Sequence, residues 1–278
     1  MGEKEHSGLP YVAGLDGLRA LALITIMLFH LGWSRVPGGV FSVSLFFTLS
    51  GYLITQLMIS DHARTGRTDL KHFWSRRLRR LAPGSIVVVL AVTVIALTGV
   101  FTGERLRGDL LATVGYGANW RFATAGTTYA QLFESTPSPL LHFWTLAIEE
   151  QFYVVFPLLM AVLMRWKRLM IPTLLLLAAS SSGAMILTSS RNLAYYGTHT
   201  RAAEFLIGAL LALVVPLRKE ITQRLQAFFA VGGVIALGVY VYISGTVNAS
   251  DGWLYQGGLT GFTIISCLLI VAVLVPGP

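Results

Sequence analysis

Residues 142 to 164 read HFWTLAIEEQFYVVFPLLMAVLM. The only Asp, Glu, Lys or Arg in this run are the adjacent acids Glu149 and Glu150. Wound as a helix, the run reaches about 34 Å, enough to cross the roughly 30 Å hydrocarbon core of a bilayer. Ionised groups are costly at such depth, so the two acids are expected to face a polar interior or a cationic partner. Neighbours on a helix point about 100° apart, so at most one of the pair aims straight at a shared site.

Seven further runs of the same character flank this one: Leu15–Trp33, Val40–Ile59, Gly84–Phe101, Leu169–Thr188, Arg201–Leu217, Ala227–Ser244 and Leu259–Val275. The expected fold is therefore all-α, a polytopic integral membrane bundle of about eight transmembrane helices. A membrane barrel would instead show alternating segments of about ten residues. Three loops hold thirteen of the 21 Lys and Arg residues: 61–80, 165–168 and the loop with Arg218, Lys219 and Arg224. Eight spans put all three on one side, which the positive-inside rule makes cytoplasmic, with both termini. Thr102–Leu141 is then an external loop, with Leu106–Trp120 able to form a short re-entrant or interfacial helix. Residues 1–278 read as one membrane domain.

Composition agrees. The chain is 54% hydrophobic and 12% charged, against roughly 25% charged in soluble domains. Its net charge of +8 lies in short loops between apolar runs, so the implied partner is the lipid bilayer and not a nucleic acid. Cys267, the only cysteine, permits no intrachain disulfide and no thiolate zinc site, and its apolar surroundings suit an inert packed thiol. No metal site is expected, and no cleavable signal peptide is expected around Ala20–Ser34.

Several residues carry chemistry. Arg19 and His30 are eleven residues apart in the first run, which leaves them about 20° apart on one helix face and about 16 Å apart along it. Arg19 lies toward the inner end and His30 toward the outer. Glu149 and Glu150 enter from outside to a depth similar to His30, and a carboxylate beside an imidazole would fix its tautomer for general-base work. A structural ion pair of these acids with Arg19 or Arg201 is the plainer alternative. Arg76, Arg77, Arg79 and Arg80 suit either a lipid anchor or a cradle for a polyphosphate, since guanidinium groups bind phosphate bidentately. Ser50 and Gly51 allow close helix approach. Arg201 and Glu204 can pair at i, i+3.

Together and in this order, these residues resemble acyltransferase family 3 of membrane proteins. The resemblance is carried by LDGLR at 15–19 with His30, FFTLSGYLI at 46–54, RRLRRLAP at 76–83, PSP at 137–139, HFWTLAIEEQFY at 142–153 and RAAEFLIGA at 201–209. Residues 119–157 are most similar to the bacterial branch that often carries an SGNH-type hydrolase domain after the membrane domain. The resemblance implies transfer of an acyl group, usually acetyl, from cytoplasmic acyl-CoA (acetyl-CoA) to a hydroxyl of an extracytoplasmic carbohydrate or glycolipid at the bacterial plasma (inner) membrane. It gives importance to Arg19 and His30, sets Glu149 and Glu150 beside them as catalytic candidates, places the CoA phosphates on Arg76, Arg77, Arg79 and Arg80, and leaves Ser50, Arg201 and Glu204 as substrate-binding candidates. Two departures stand out. Many members carry an acid where this chain has Ser44, so that acid's role does not transfer. Members also have about ten membrane helices, so the domain is expected to be incomplete at its C-terminus, without the closing helices or an SGNH domain. The rival readings are a proton-coupled transporter or glycolipid flippase, which intramembrane Arg, His and Glu would also suit, and a non-catalytic scaffold.

Overall fold

The computed structural model describes residues 9–99, 105–124, 138–217 and 223–275. Pro137, Arg218, Lys219, the last three residues and much of the Thr102–Leu141 loop lie outside them. Among the described residues there are eleven α-helices and no strand. In chain order they are α1 (Ala13–His30), α2 (Ser42–Thr65), α3 (Leu70–Leu97), α4 (Leu106–Val114), α5 (Ala118–Ala123), α6 (Phe143–Leu163), α7 (Lys167–Leu187), α8 (Arg191–Tyr196), α9 (Thr198–Val214), α10 (Gln223–Thr246) and α11 (Gly258–Leu274). Six of them (α1, α2, α3, α6, α7 and α10) are long and apolar enough to cross a membrane. Helices α9 and α11 have 17 residues each. The chain is an all-α, polytopic membrane-type bundle, and each apolar run expected from sequence overlaps one of these eight helices.

One boundary is corrected. Sequence places the arginine-rich segment in a loop ahead of Gly84, but α3 begins at Leu70 and carries Arg76, Arg77, Arg79 and Arg80 within it. Its start is fixed locally. Gly66 ends α2 at φ +70, a conformation that costs glycine little. The Asp69 carboxylate then accepts the His72 backbone N–H at 2.9 Å, capping α3. Arginine is a good helix former, so once capped the helix runs through the basic segment. The expected Leu106–Trp120 element is also resolved differently, into two short helices, α4 and α5, tied by Arg121 to Asp109 at 3.1 Å.

The core is the crossing of α2 on α9. A Cβ on Gly51 would land on the Phe205 carbonyl, and one on Gly208 would land on the Thr48 carbonyl. The two backbones approach this closely because neither glycine holds them apart. Helix α2 also completes α9 chemically. The last carbonyls of a helix have no intrahelical donor. Here Gln56 Nε2 donates to the Ala212 carbonyl at 2.8 Å, and Tyr52 Oη donates to that of Val215 at 3.0 Å. By contrast the C-terminal half of α3 is apolar and almost wholly uncovered, with Ile86, Val87, Leu90 and Val94 exposed. That pattern suits a helix whose solvent is lipid.

The α2–α3 and α6–α7 turns meet at one end of the bundle, where the Thr68 hydroxyl donates to Met164 Sδ at 3.4 Å. Arg64, Arg67, Arg165, Lys167 and Arg168 all belong to that basic end. The C-terminus of α1 and the N-termini of α6 and α9 lie at the opposite end.

Candidate active site

The polar centre of the bundle is organised by a proline. Pro157 has no N–H, so in α6 it leaves the carbonyl four residues back, that of Tyr153, without its helical donor. Trp74 of α3 supplies one: its indole N–H donates to the Tyr153 carbonyl at 2.9 Å. Arg77, one turn along α3 from Trp74, lies over the Tyr153 ring with its guanidinium carbon 3.6 Å from the centroid. The Tyr153 hydroxyl donates to Ser50 Oγ at 3.1 Å, and Ser50 Oγ donates to Glu149 at 2.8 Å. A continuous polar chain thus runs from α3 through α6 and α2 to a carboxylate about a third of the way along α6. Arg77 and Arg19 both lie within electrostatic reach of that carboxylate.

Neither acid of the 149–150 pair is bridged to Arg19 or Arg201. Arg19 pairs with Asp16 at 2.9 Å, and Arg201 pairs with Glu204 at 3.1 Å. The structure thus overturns the plainer ion-pair alternative, because each arginine has an acid three residues away on its own helix. Glu150 points elsewhere than Glu149, as the 100° offset requires. It is buried, and its Oε1 has no hydrogen-bond partner.

His30 ends α1 and is exposed. Its Nδ1 lies 2.8 Å from the Ile26 carbonyl oxygen. In the neutral ring Nδ1 is then the donor and Nε2 keeps the lone pair. The ring is thus held within α1, by the carbonyl one turn back. His142, at the N-terminus of α6, lies within electrostatic range of His30. Its position in the 142–153 motif gives it no role by itself.

The basic cluster divides. On α3, Arg76, Arg79 and Arg80 share about 100° of arc, and Arg79 bonds Ser75 Oγ at 2.8 Å. Arg77 lies about 60° beyond that arc and turns toward Tyr153.

Arg201 and Glu204 form a separate centre on α9, both fully buried. Arg201 Nη2 also reaches Ser44 Oγ at 3.4 Å. The guanidinium is enclosed by Tyr195, Phe47 and Trp144, with centroids at 5.2, 5.4 and 5.8 Å. Arg201 is therefore a core residue of the bundle. Ser44 occupies the place where an acid would give this arginine a second carboxylate.

Tyr153 and Trp74 do not stand out as site residues in the sequence. The signal for both is Pro157 inside an apolar run, which announces a free carbonyl four residues earlier. Gln151 is hidden likewise. Its Nε2 donates to the Tyr116 carbonyl at 2.8 Å and to Asn119 Oδ1 at 2.9 Å, which docks α5 against α6.

An acyltransferase-domain model of acyltransferase family 3 matches residues 12–277. The chain is 39% identical to O-acetyltransferase OatA of Staphylococcus aureus (strain NCTC 8325 / PS 47), over 95% of this chain and 45% of that protein. It is 35% identical to peptidoglycan O-acetyltransferase OatA of Listeria monocytogenes serovar 1/2a, over 95% of this chain and 44% of that protein. It spans less than half the length of these curated relatives. No solved structure matches it.

Proposed function

Since the chain belongs to acyltransferase family 3, we propose that it is the membrane part of an O-acetyltransferase, passing an acetyl group from cytoplasmic acetyl-CoA to a hydroxyl of an extracytoplasmic cell-wall carbohydrate. The observation that carries this reading is the polar chain Arg77–Tyr153–Ser50–Glu149, lying between the arginine face of α3 and the histidines at the opposite end. The names of the relatives support acetyl transfer, and the name of the Listeria protein supports a peptidoglycan acceptor.

In this reading the basic end faces the cytoplasm. Arg76, Arg79 and Arg80 hold the CoA phosphates as bidentate donors, and Arg77 and Arg19 supply positive charge along the route of the thioester. At the opposite end the acceptor hydroxyl gives its proton to His30 Nε2, and its oxygen forms a bond to the thioester carbonyl carbon. The carbon–sulfur bond breaks, and CoA leaves as a thiolate that takes up a proton. Glu149 holds the polar chain in one arrangement through Ser50 and Tyr153. Glu204 and Arg201 maintain the fold beside this route, and Ser50 is a positioning residue.

The test is CoA release from labelled acetyl-CoA by the chain in lipid vesicles. General-base removal typically costs about 10²- to 10⁴-fold, so His30→Ala is expected to lower the acceptor-dependent rate by that order while leaving acetyl-CoA binding intact. Arg76→Gln with Arg80→Gln is expected to raise KM for acetyl-CoA with kcat little changed. Wild-type rates in His30→Ala would overturn the role of His30, and absence of acetyl-CoA binding by the wild type would overturn the function.

A further inference from the structure

The basic end of the bundle carries a cavity that lies outside the Arg77–Tyr153–Ser50–Glu149 chain. About 390 Å³ of open space separates the last turn of α2 from the first turn of α3, lined by Asp61, Arg64, Thr65, Arg67, Asp69 and His72. That volume is in the range of small-ligand sites, about 300–1,000 Å³. Its walls are fixed locally. The Thr65 hydroxyl donates to the Arg67 carbonyl at 2.7 Å, and Arg64 Nη2 donates to Asp61 Oδ1 at 2.9 Å. Asp69 gives one oxygen to the His72 backbone N–H. Among the described residues, the second carboxylate oxygen of Asp61 and that of Asp69 accept no hydrogen bond, and the Arg67 side chain has no partner.

Thr68 stands between two of the lining residues, Arg67 and Asp69, and its hydroxyl donates to Met164 Sδ at 3.4 Å. This contact sets the cavity beside the α6–α7 turn. There Arg165, Trp166, Lys167 and Arg168 are all exposed, and the three cations have no partner among the described residues. Segments 61–72 and 165–168 together hold six Lys and Arg residues and two acids, which favours an occupant that brings negative charge. Trp166, 63% exposed, is the type of side chain that settles at headgroup level. On both sides of its turn the surface is apolar, with Val162, Leu169 and Ile171 exposed. Free cations, an interfacial tryptophan and an apolar helix wall, in that order, match the phosphate, glycerol region and acyl chains of a phospholipid. The two free carboxylate oxygens narrow the headgroup further, because they accept from hydroxyls and repel a second phosphate.

We propose that the α2–α3 and α6–α7 turns together bind an anionic phospholipid whose headgroup carries hydroxyls, phosphatidylglycerol being the simplest. Its phosphate lies between Arg64 and Arg67, and its glycerol hydroxyls donate to the free oxygens of Asp61 and Asp69. The bound lipid ties the start of α3, the least covered of the six long apolar helices, to the start of α7. The site is separate from the arginine face of α3, since Arg76 lies about 6 Å and Arg80 about 12 Å further along the helix than His72. It rests on the membrane fold and is independent of acetyl transfer.

The experiment titrates the whole chain in mild detergent with phosphatidylglycerol, phosphatidic acid and phosphatidylethanolamine. Bound lipid is counted by native mass spectrometry, beside acetyl-CoA binding and thermal unfolding. The wild type should bind phosphatidylglycerol more tightly than phosphatidic acid, and phosphatidylethanolamine least. Arg64→Gln with Arg67→Gln should weaken phosphatidylglycerol binding about tenfold, and Arg165→Gln with Arg168→Gln should do so by a similar factor. Asp61→Asn should narrow the preference over phosphatidic acid. Arg35→Gln, at the opposite end, should bind as wild type. Phosphatidylglycerol should raise the unfolding temperature of the wild type more than that of either double variant. Equal binding by the wild type and both double variants overturns the site, and so does phosphatidylethanolamine bound as tightly as phosphatidylglycerol. Phosphatidic acid bound at least as tightly overturns the hydroxyl contacts to Asp61 and Asp69. If the first double variant unfolds early without lipid, the second, on an exposed turn, decides between a lost site and a lost fold. Displacement of the lipid by acetyl-CoA, or loss of acetyl-CoA binding in either double variant, overturns the lipid assignment and makes the cavity part of the donor site.

Discussion

Two arginine–acid pairs in this molecule have the same spacing and opposite surroundings. Asp16–Arg19 on α1 is bonded at 2.9 Å with side chains 51% and 38% exposed. Arg201–Glu204 on α9 is bonded at 3.1 Å with both side chains fully buried. Spacing at i, i+3 is enough to bring the charges together in both. What it does not set is their worth. At α1, solvent and headgroups screen the pair, and it contributes little. At α9, three aromatic rings and the α2–α9 crossing remove water. Each partner there becomes a condition for the other being charged. The exposed arginine stays available to a passing substrate, whereas the buried one is committed to structure.

The comparison can be broken most severely at Glu204. Glu204→Ala strands the Arg201 charge in the core, and removing one partner of a buried pair is expected to destabilise by about 3–5 kcal/mol. Unfolding in graded detergent denaturant would measure it. The double variant Arg201→Met with Glu204→Leu should recover most of the loss. A smaller but still large effect is expected from Gly51→Ala, whose Cβ meets the Phe205 carbonyl and forces apart the crossing that keeps the pair dry. Overpacking of this kind costs about 1–3 kcal/mol, and the same unfolding assay reads it. Trp74→Phe is the intermediate case. It removes one hydrogen bond from the Tyr153 carbonyl and should cost about 1 kcal/mol, with hydrogen exchange rising on α3 more than on α2. Asp16→Asn should be the mildest, below about 1 kcal/mol and fading as salt is raised. Equal effects at Asp16 and Glu204 would mean that burial does not separate the pairs.

The apolar runs locate the six helices long enough to cross a membrane, and the shorter α9 and α11, because lipid imposes length and apolarity on any segment that crosses it, and both are visible residue by residue. Arg201 and Glu204 are legible as a pair for the same kind of reason, since helical spacing is local. The extent of α3 is not, because an arginine-rich stretch reads equally as loop or helix until a cap such as Asp69 is seen to act. Nor is the tautomer of His30, which depends on whether a backbone carbonyl or a distant carboxylate is nearer.

From sequence alone, then, the chain is determined as an all-α membrane bundle with ionisable residues at given depths along named helices. Only the tertiary structure decides which of these residues meet. The Arg77–Tyr153–Ser50–Glu149 chain joins three helices, and Trp120 with Gln151 joins a short loop helix to a span. The reason is physical: period and hydropathy report how one helix turns and what surrounds it, while contacts between helices depend on crossings set by small residues such as Gly51 and Gly208 and on carbonyls freed by Pro157.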